Sequence, residues 1–299
     1  MATSIAAAAL RASSGQILDQ VRLGRGPLDF LDAVILMAVS QANVEPILRD
    51  AVLHRQFATY DCAPPDDLRR PISINAVAQS LGAPFETVRR RVTRLSRVGV
   101  YRITPAGVFV PGWVVQLGGH RASLQAGYRR TQALYLRLSE LGALPPIPAT
   151  PPWRGADPLR AVARSGAEYL LRLIATASSE LGDLTDAVIW LEVLRSTHEH
   201  LPAEAGIDRE RHQPVRGAAV AKRLGMPLET VRRRIADLAA RGVLEAGERG
   251  VTLGMETASD PDLARIIDDN HRDLGRMFAS LGQLGIVAAW RLGGATLAA

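Results

Sequence analysis

Two arginine-rich segments of this sequence carry residue types that can read the edges of DNA bases. Each contains the pattern LGxPxETVRRR, once from Leu81 and once from Leu224. An arginine can donate two hydrogen bonds to guanine O6 and N7 in the major groove, and a carboxylate can accept one from cytosine N4. A glutamate and an arginine four residues apart on one helix would therefore contact neighbouring bases.

Helical periodicity divides the first segment into two faces. At about 100° per residue, one face gathers Phe85, Val88, Val92 and Leu95, which we expect to be buried. The opposite face is predicted to read bases through Glu86, Arg90, Thr93, Arg94 and Arg97. The flanks and the following hairpin are predicted to contact phosphate through Thr87, Arg89, Arg91 and Arg102. The alternative is an exposed helix whose glutamate and arginines merely pair with each other.

The second segment keeps part of this set. Its predicted base-reading residues are Glu229 and Arg233, flanked by Thr230, Arg232 and Arg234. The positions of Thr93, Arg94 and Arg97 are taken by Ala236, Asp237 and Ala240. The loss of two arginines is offset in part by three basic residues elsewhere in this half. They are predicted to contact phosphate directly or from the wing: Lys222, Arg223 and Arg249.

The surrounding residues predict the elements that position each segment. A helix-turn-helix needs a small residue, a turn glycine and an apolar residue, here Ala78, Gly82 and Val88, repeated as Ala221, Gly225 and Val231. Ser73 can cap a helix ending at Leu81, and Pro84 can begin a second helix over 85–98, stopped by Gly99. Alternation over 100–103 and 108–110 indicates a hairpin. This order is that of a winged helix-turn-helix.

The likeness between the halves is wider than these segments. Residues 71–110 align with 214–253 without a gap, DAVI recurs at residues 32 and 186, and Leu138, Leu141 and Gly142 recur as Leu281, Leu284 and Gly285. We therefore expect a mainly α fold with small β wings, built from two duplicated winged helix-turn-helix domains related by a pseudo-twofold. The domains are 1–144 and 159–299, joined by a proline-rich linker over 145–158 that can span up to about 43 Å.

Further helices are expected at both ends of each half. An amphipathic helix is predicted over 30–56, interrupted near Pro46. A closing helix in the second half can be capped by Asp260 and shows Ile267, Leu274, Met277, Leu281 and Leu284 at three-four spacing, interrupted by Asn270; the first half offers Leu124, Tyr128, Tyr135 and Leu138. The apolar faces of these two closing helices either pair with each other across the pseudo-twofold or pack on their own domains.

Charge and composition agree with a polyanionic partner. The 299 residues carry a net charge of +6, of which residues 1–150 hold +7 and residues 151–299 hold −1. Composition is globular, with 47% hydrophobic residues, and the single Cys62 fits a reducing compartment. We expect a cytoplasmic, nucleoid-associated protein without a membrane-spanning segment or secretory signal.

The recognition segments resemble known regulators. Glu86-Thr87-Val88-x-Arg90 and its second copy look like the recognition helix of the bacterial cyclic-nucleotide-receptor class of activators, over about 20 residues per half. Each whole half, with its leading helix, winged helix-turn-helix and closing helix, is similar to a MarR-type repressor, whose members act as dimers. The resemblance implies a fused pseudo-dimer that binds double-stranded DNA as one chain, or as a homodimer, and regulates transcription.

Other functions have less support in the sequence. A plasmid or phage replication initiator is one alternative, and a protein-interaction module of chromosome organisation is another. His198-Glu199-His200 is read as a loop because no third metal ligand lies near it. No phosphate-binding glycine loop or catalytic serine elbow occurs, so we expect no enzyme, metal or cofactor.

Overall fold

The computed structural model describes residues 2–116, 119–202, 205–207, 211–254 and 261–297. These form the helices α1 (Ala2–Gly24), α2 (Phe30–Arg49), α3 (Ala51–Gln56), α4 (Ile74–Ser80), α5 (Phe85–Ser96), α6 (His120–Glu140), α7 (Leu159–Leu181), α8 (Leu184–Thr197), α9 (Gly217–Leu224), α10 (Leu228–Ala240), α11 (Pro261–Gln283) and α12 (Ile286–Leu297). Two antiparallel hairpins accompany them, β1 (Arg102–Thr104) with β2 (Gly107–Phe109), and β3 (Leu244–Gly247) with β4 (Gly250–Leu253). The fold is therefore mainly helical with small two-stranded sheets, as predicted.

Local sequence explains the segment around α5. The Ser73 hydroxyl accepts a hydrogen bond from the backbone N–H of Ala76 and so caps α4. Gly82 then turns the chain with a φ of +58°, a conformation that a side chain disfavours. Pro84 precedes α5, and β1 and β2 follow it. A single antiparallel bridge between Ile72 and Val108 ties the segment before α4 to this hairpin.

The same order occurs in the second half at the same spacing. α9, a turn at Gly225 with a φ of +64°, α10 and the β3–β4 hairpin follow one another. Val215 bridges Val251, just as Ile72 bridges Val108. The elements predicted from the aligned sequences are thus present in both segments.

The core joins the two halves of the chain. One continuous cluster of buried residues includes Leu10 and Val34 from the first half and Trp190 and Phe278 from the second. Helix α1, for which the sequence analysis gave no element, packs on α6, α8 and α11, while α7 packs on α2, α6 and α11. The small side chains of residues 6–9 are buried, which lets α1 approach its neighbours closely. Residues 1–144 and 159–299 therefore share one core.

The turns at Gly82 and Gly225 each contact the other half of the chain. A Cβ added to Gly82 would lie 2.9 Å from Ser178 Cβ near the end of α7, and one added to Gly225 would lie 2.5 Å from Arg25 Nη1, just after α1. The two contacts are reciprocal, because each turn approaches the end of the first long helix of the opposite half. Glycine at each turn thus serves close packing as well as the positive φ.

The closing helices α6 and α11 do not pair along their length, which was one of the two arrangements expected for them. α11 packs mainly on α7 of its own half, and its Ile267, Leu274 and Leu281 are buried. Tyr135 of α6 also meets Phe278 of α11, with ring centroids 5.4 Å apart. The predicted cap Asp260 lies outside the described residues.

A polar cluster lies within this helical core. The Tyr169 hydroxyl donates to Asn270 Oδ1 at 2.5 Å and lies 2.8 Å from Ser13 Oγ. All three residues are buried, on α7, α11 and α1. Asn270, which interrupts the apolar spacing of α11, is thus accommodated in part: its Oδ1 accepts from Tyr169 and, at 3.4 Å, from Ser13, whereas its buried Nδ2 has no hydrogen-bond partner among the described residues.

The proline-rich segment is not a free spacer. Ile147 is buried, and the Thr150 hydroxyl donates to the Gly282 carbonyl at 2.7 Å. The backbone N–H of Trp153 donates to the Gly285 carbonyl at 2.9 Å. The segment therefore lies along the end of α11 and the start of α12. Its extended length is used for packing rather than for separating the halves.

Two local expectations were wrong. The predicted break at Pro46 lies instead at Asp50, whose carboxylate accepts from the N–H groups of Val52 and Leu53 and starts α3. Phe85 was expected on the buried face but is 43% exposed, because the first turn of α5 extends beyond the core that covers Val88 and Val92. Leu228 at the corresponding position of α10 is exposed as well.

Among the described residues, α2 is the one helix long and apolar enough to cross a membrane by length and composition alone. No membrane-spanning segment was expected from the sequence. In the structure 56% of the apolar window is buried inside the protein, where Val34, Ile35 and Val39 join the core. Core packing therefore accounts for the apolar composition of α2.

Candidate functional site

The outward surface of α5 gathers the residues predicted to read bases. Val88, Val92 and Leu95 are buried and fix the orientation of the helix, so the opposite side is turned outward. Seven side chains line an open concavity of about 620 Å³ there: Glu86, Thr87, Arg89, Arg90, Thr93, Arg94 and Arg97. Every base-reading residue predicted for the first half belongs to this set, which we call the α5 surface.

Two arginines of the α5 surface have no partner in the part of the chain described. Arg90 and Arg97 are exposed, one turn or more apart along α5, and neither forms an ion pair or side-chain hydrogen bond with a described residue. Thr93 lies between them and is half-buried. An unpaired exposed guanidinium keeps all five of its N–H donors available to an incoming ligand.

Glu86 is already paired. Its carboxylate accepts from Arg89, with Nη2 2.7 Å from Oε2. The hydrogen bond and charge of Arg89 lower the pKa of Glu86, so its carboxylate is ionised near neutral pH. This pairing realises part of the alternative considered above, in which glutamate and arginine neutralise each other on the helix. A base contact by Glu86 must therefore compete with, or share, Arg89.

Arg91 anchors the helix instead of facing outward. Its guanidinium lies 2.6 Å from Asp29 and 2.8 Å from Asp32, and the side chain is 16% exposed. Arg94 pairs with Asp32 as well but stays 58% exposed. The expected phosphate contact of Arg91 is thus replaced by an ion pair to the start of α2, because the flank of α5 meets that helix. Arg94 retains an exposed side.

The second half repeats this anchor. Arg234 lies 2.8 Å from Asp183 and 3.1 Å from Asp186, which stand at the start of α8 as Asp29 and Asp32 stand at the start of α2. Arg241 also pairs with Asp186 at 2.9 Å. Burial and the nearby charge of Asp183 raise the pKa of Asp186, opposed by the two arginines. Arg234, like Arg91, is therefore a structural residue.

These aspartates were not identified as functional by sequence reasoning. A signal was present, because DAVI recurs at residues 32 and 186 and each copy has an aspartate three residues earlier. Both earlier aspartates cap their helices, since Asp29 accepts from the N–H of Asp32 and Asp183 from that of Asp186. The sequence did not show which arginine each pair of aspartates would bind, because that depends on how α5 and α10 cross the capped helices.

The remaining predicted contacts of the second half separate into two groups. Glu229, Arg233, Lys222 and Arg249 are exposed, and Arg249 occupies the β3–β4 turn. Glu229 approaches Arg232 at 3.7 Å, a looser pair than in the first half. Arg223, by contrast, lies 3.0 Å from Glu199 and 3.4 Å from Glu192, which ties it to α8. Its expected phosphate contact is therefore not supported.

Three further residues predicted to contact phosphate differ in their exposure to solvent. Thr87 and Thr230, one turn into their helices, are both half-buried. Arg102 is exposed on β1 with its guanidinium carbon 5.6 Å from the Phe109 ring centroid. Stacking on the ring holds the Arg102 side chain against the hairpin, where the residue stays exposed.

His198-Glu199-His200 has the loop character predicted for it. His198 ends α8 and is buried, with Nδ1 2.9 Å from the Leu194 carbonyl, and burial lowers its pKa to about 4. Nε2 of His200 instead lies 2.9 Å from the Arg211 carbonyl. The described residues contain no group of three or more histidine, cysteine or acidic side chains that could hold a metal ion.

Comparisons of the chain with protein-family models, curated proteins and solved structures found no match.

Proposed function

We propose that this protein binds double-stranded DNA sequence-specifically and regulates bacterial transcription, using two winged helix-turn-helix units in one chain. The order of helix, glycine turn, helix and hairpin occurs twice, with positive φ at Gly82 and Gly225. A helix held in this way can enter the major groove of B-DNA, which is about 12 Å wide. α5 and α10 are the two reading helices of the proposal.

The α5 surface is the observation that carries the proposal. It presents the unpaired Arg90 and Arg97 outward, while Arg91 fixes the opposite flank to α2. Anchoring matters because a base-reading side chain must be held in register by a rigid element. Arg90 and Arg97 are suited to guanine or phosphate, and Glu86 to cytosine after exchange of its partner.

The hairpins extend the proposed contact to the backbone and minor groove. Arg102 on β1 and Arg249 at the β3–β4 turn are both exposed and basic. Narrow minor grooves attract inserted arginines through their negative potential. The two wings would then position the reading helices without themselves specifying much sequence.

Two reading helices on one shared core favour a two-part operator. The reciprocal contacts of Gly82 and Gly225 with the opposite halves support a pseudo-twofold relation between them. Proteins with such symmetry read inverted half-sites spaced about 34–36 Å apart, one helical turn of DNA. We therefore infer two related, inverted half-sites for each chain.

Selection of bound sites from random double-stranded DNA tests the proposal. The full chain should enrich one two-part sequence, and fluorescence anisotropy should show affinity that falls with salt. The matched pair of variants is Arg90→Ala and Arg137→Ala, the latter an exposed arginine on α6 away from the α5 surface. Absence of any enriched sequence, or equal behaviour of both variants, would refute the assignment. Enrichment of iterated direct repeats would favour a replication initiator instead.

A further inference from the structure

Two apolar side chains stand at aligned positions on the protein surface. Phe85 begins α5 and is 43% exposed, and Leu228 begins α10 and is 45% exposed. A single exposed apolar residue is ordinary on a soluble protein. The same exposure at the first residue of both helices indicates a shared role, because residues 71–110 and 214–253 align without a gap.

The backbone presents both side chains in the same way. Each follows a proline, with a φ of −58° and a ψ of 131° at Pro84, and a φ of −57° and a ψ of 131° at Pro227. A proline fixes its own φ and restricts the entry of the chain into the helix. Phe85 and Leu228 therefore leave their helices in equivalent directions.

The core holds α5 in place without the exposed part of Phe85. Val88 and Val92 are fully buried and Leu95 is nearly so, and these three residues fix which side of the helix faces inward. The ion pairs of Arg91 with the start of α2 fix the flank. A smaller side chain at residue 85 should therefore leave α5 where it is.

An exposed apolar side chain is a poor partner for phosphate or for a polar base edge. Covering either one removes water from hydrogen-bonding atoms without replacing the lost bonds, which is costly. The major groove of B-DNA does offer one apolar group, the C5-methyl of thymine, and phenylalanine is among the side chains that contact it. Cytosine methylated on C5 carries the same group. A methylated pyrimidine is thus the base that an apolar residue recognises.

The start of the helix is also the right place for such a contact. In helix-turn-helix proteins, the N-terminal residues of the second helix contact base edges in the major groove. Phe85 directly precedes Glu86, which belongs to the α5 surface, and Leu228 directly precedes Glu229. An apolar contact would therefore lie beside the polar contacts already proposed for each helix.

We propose that Phe85 and Leu228 each contact the C5-methyl group of one pyrimidine in the major groove and so select that base in their half-site. This contact rests on the proposed function, because it requires α5 and α10 to enter the groove. Aligned positions on the two helices require methylated pyrimidines at matching places in the two half-sites. Phenylalanine has more apolar surface than leucine, so the half-site bound by α5 should show the stronger preference.

Replacement of thymine by deoxyuridine in the selected operator tests the contact, since it removes the methyl group and keeps every hydrogen-bonding atom. Fluorescence anisotropy of the full chain should show one position in each half-site where this replacement weakens binding about fourfold, as expected for one buried methyl group. Cytosine at that position should bind more tightly once it is methylated on C5. If methylated cytosine binds more tightly than thymine, methylated DNA is the partner, and the reverse order identifies thymine.

Two variants assign the contacts to the two helices. Phe85→Ala should reduce the preference for thymine over deoxyuridine to below about 1.5-fold in one half-site and leave it unchanged in the other. Leu228→Ala should do the reverse, so the unaffected half-site shows in each case that the variant is folded. Phe85→Leu, which gives α5 the residue found in α10, should retain most of the preference.

The possible results distinguish the methyl contact from DNA binding itself. If the chain enriches an operator but tolerates deoxyuridine at every thymine and gains nothing from cytosine methylation, the methyl contact is wrong and the proposed function stands. If Phe85→Ala weakens binding while the preference for thymine over deoxyuridine stays intact in both half-sites, Phe85 does not contact the methyl group. If no sequence is enriched, the proposed function and the methyl contact both fail.

Discussion

Helices α5 and α10, which we propose to read DNA bases, share an anchor and differ in the surface that they present. Arg91 and Arg234 occupy matching positions, and each is held by two aspartates at the start of a long helix. Outward, Arg94 and Arg97 of α5 are replaced by Asp237 and Ala240 in α10. The anchor is thus common to both helices, whereas the charge of the outer surface is not. If the proposed function holds, both helices need a fixed orientation, and α5 contributes most of the attraction to phosphate.

The strongest test of this comparison acts on the anchors. Asp32→Ala leaves Arg91 largely buried without one of its two carboxylates, and we expect a loss of about 3 kcal/mol in the free energy of unfolding. Asp186→Ala should cost less, about 2 kcal/mol, because Arg234 and Arg241 are more exposed and can be hydrated. Urea unfolding of the full chain measures both values.

A double variant separates the anchor from general damage. Asp32→Ala combined with Arg91→Met removes the unpaired cation and should recover part of the loss. Equal losses for the Asp32 and Asp186 variants, without recovery in the double variant, would show that these ion pairs do not distinguish the halves.

The second test concerns base reading. Arg90→Ala and Arg233→Ala should each weaken binding to the selected operator by about 1–3 kcal/mol and relax the preference at one base pair of one half-site. Arg89→Ala, whose partner is Glu86, should change specific and random DNA alike. Anisotropy titrations with operator and mutated half-sites provide the measurement. If Arg90→Ala weakened random DNA as much as operator, α5 would not be reading bases.

The third test uses the turn glycines. Both have positive φ, so Gly82→Ala and Gly225→Ala should each cost about 1 kcal/mol from backbone strain alone. Gly82→Ala should cost about 1 kcal/mol more, because the new Cβ meets Ser178 Cβ, whereas Gly225→Ala meets the end of the flexible Arg25 side chain. Thermal and urea unfolding compare the two variants. A larger loss for Gly225→Ala would mean that the Arg25 contact is the more rigid one.

The smallest expected effect concerns charge. Asp237→Arg changes the outer surface of α10 by two charges and should raise affinity for random DNA more than Thr93→Arg does on α5. Its gain of one phosphate contact should steepen the slope of log affinity against log salt by about 0.9. Titration of both variants at several salt concentrations decides the matter. Equal gains would show that local geometry, rather than net charge, separates the two surfaces.

The shared core also determines how such tests must be made. α1 of the first half packs on α8 and α11 of the second, and α7 packs on α2 and α6 of the first. Residues 1–150 alone would expose apolar surface that the second half normally covers. The two halves should therefore be compared by substitutions in the full chain. The effect of their charge difference is measured by changing single residues rather than by separating the halves.

Local sequence pattern was sufficient to predict much of helix α5. The spacing of Val88, Val92 and Leu95 identified the buried face of α5, and Ser73 and Gly82 identified the ends of α4, because caps and turns depend on neighbouring residues. Phe85 was misplaced, since periodicity alone does not say where the core ends. The role of Arg91 was missed for a similar reason, as its partner is about 60 residues away in sequence.

The sequence by itself determined the two matching series of short elements, their turn glycines and the arginines that differ between them, because these features are encoded within windows of about 40 residues. Only the tertiary structure decided that the halves share one core and that Arg91 and Arg234 point inward to aspartates. Each of these depends on how helices distant in the chain cross. That crossing is set by the total packing of apolar surfaces, to which no single local window is sensitive.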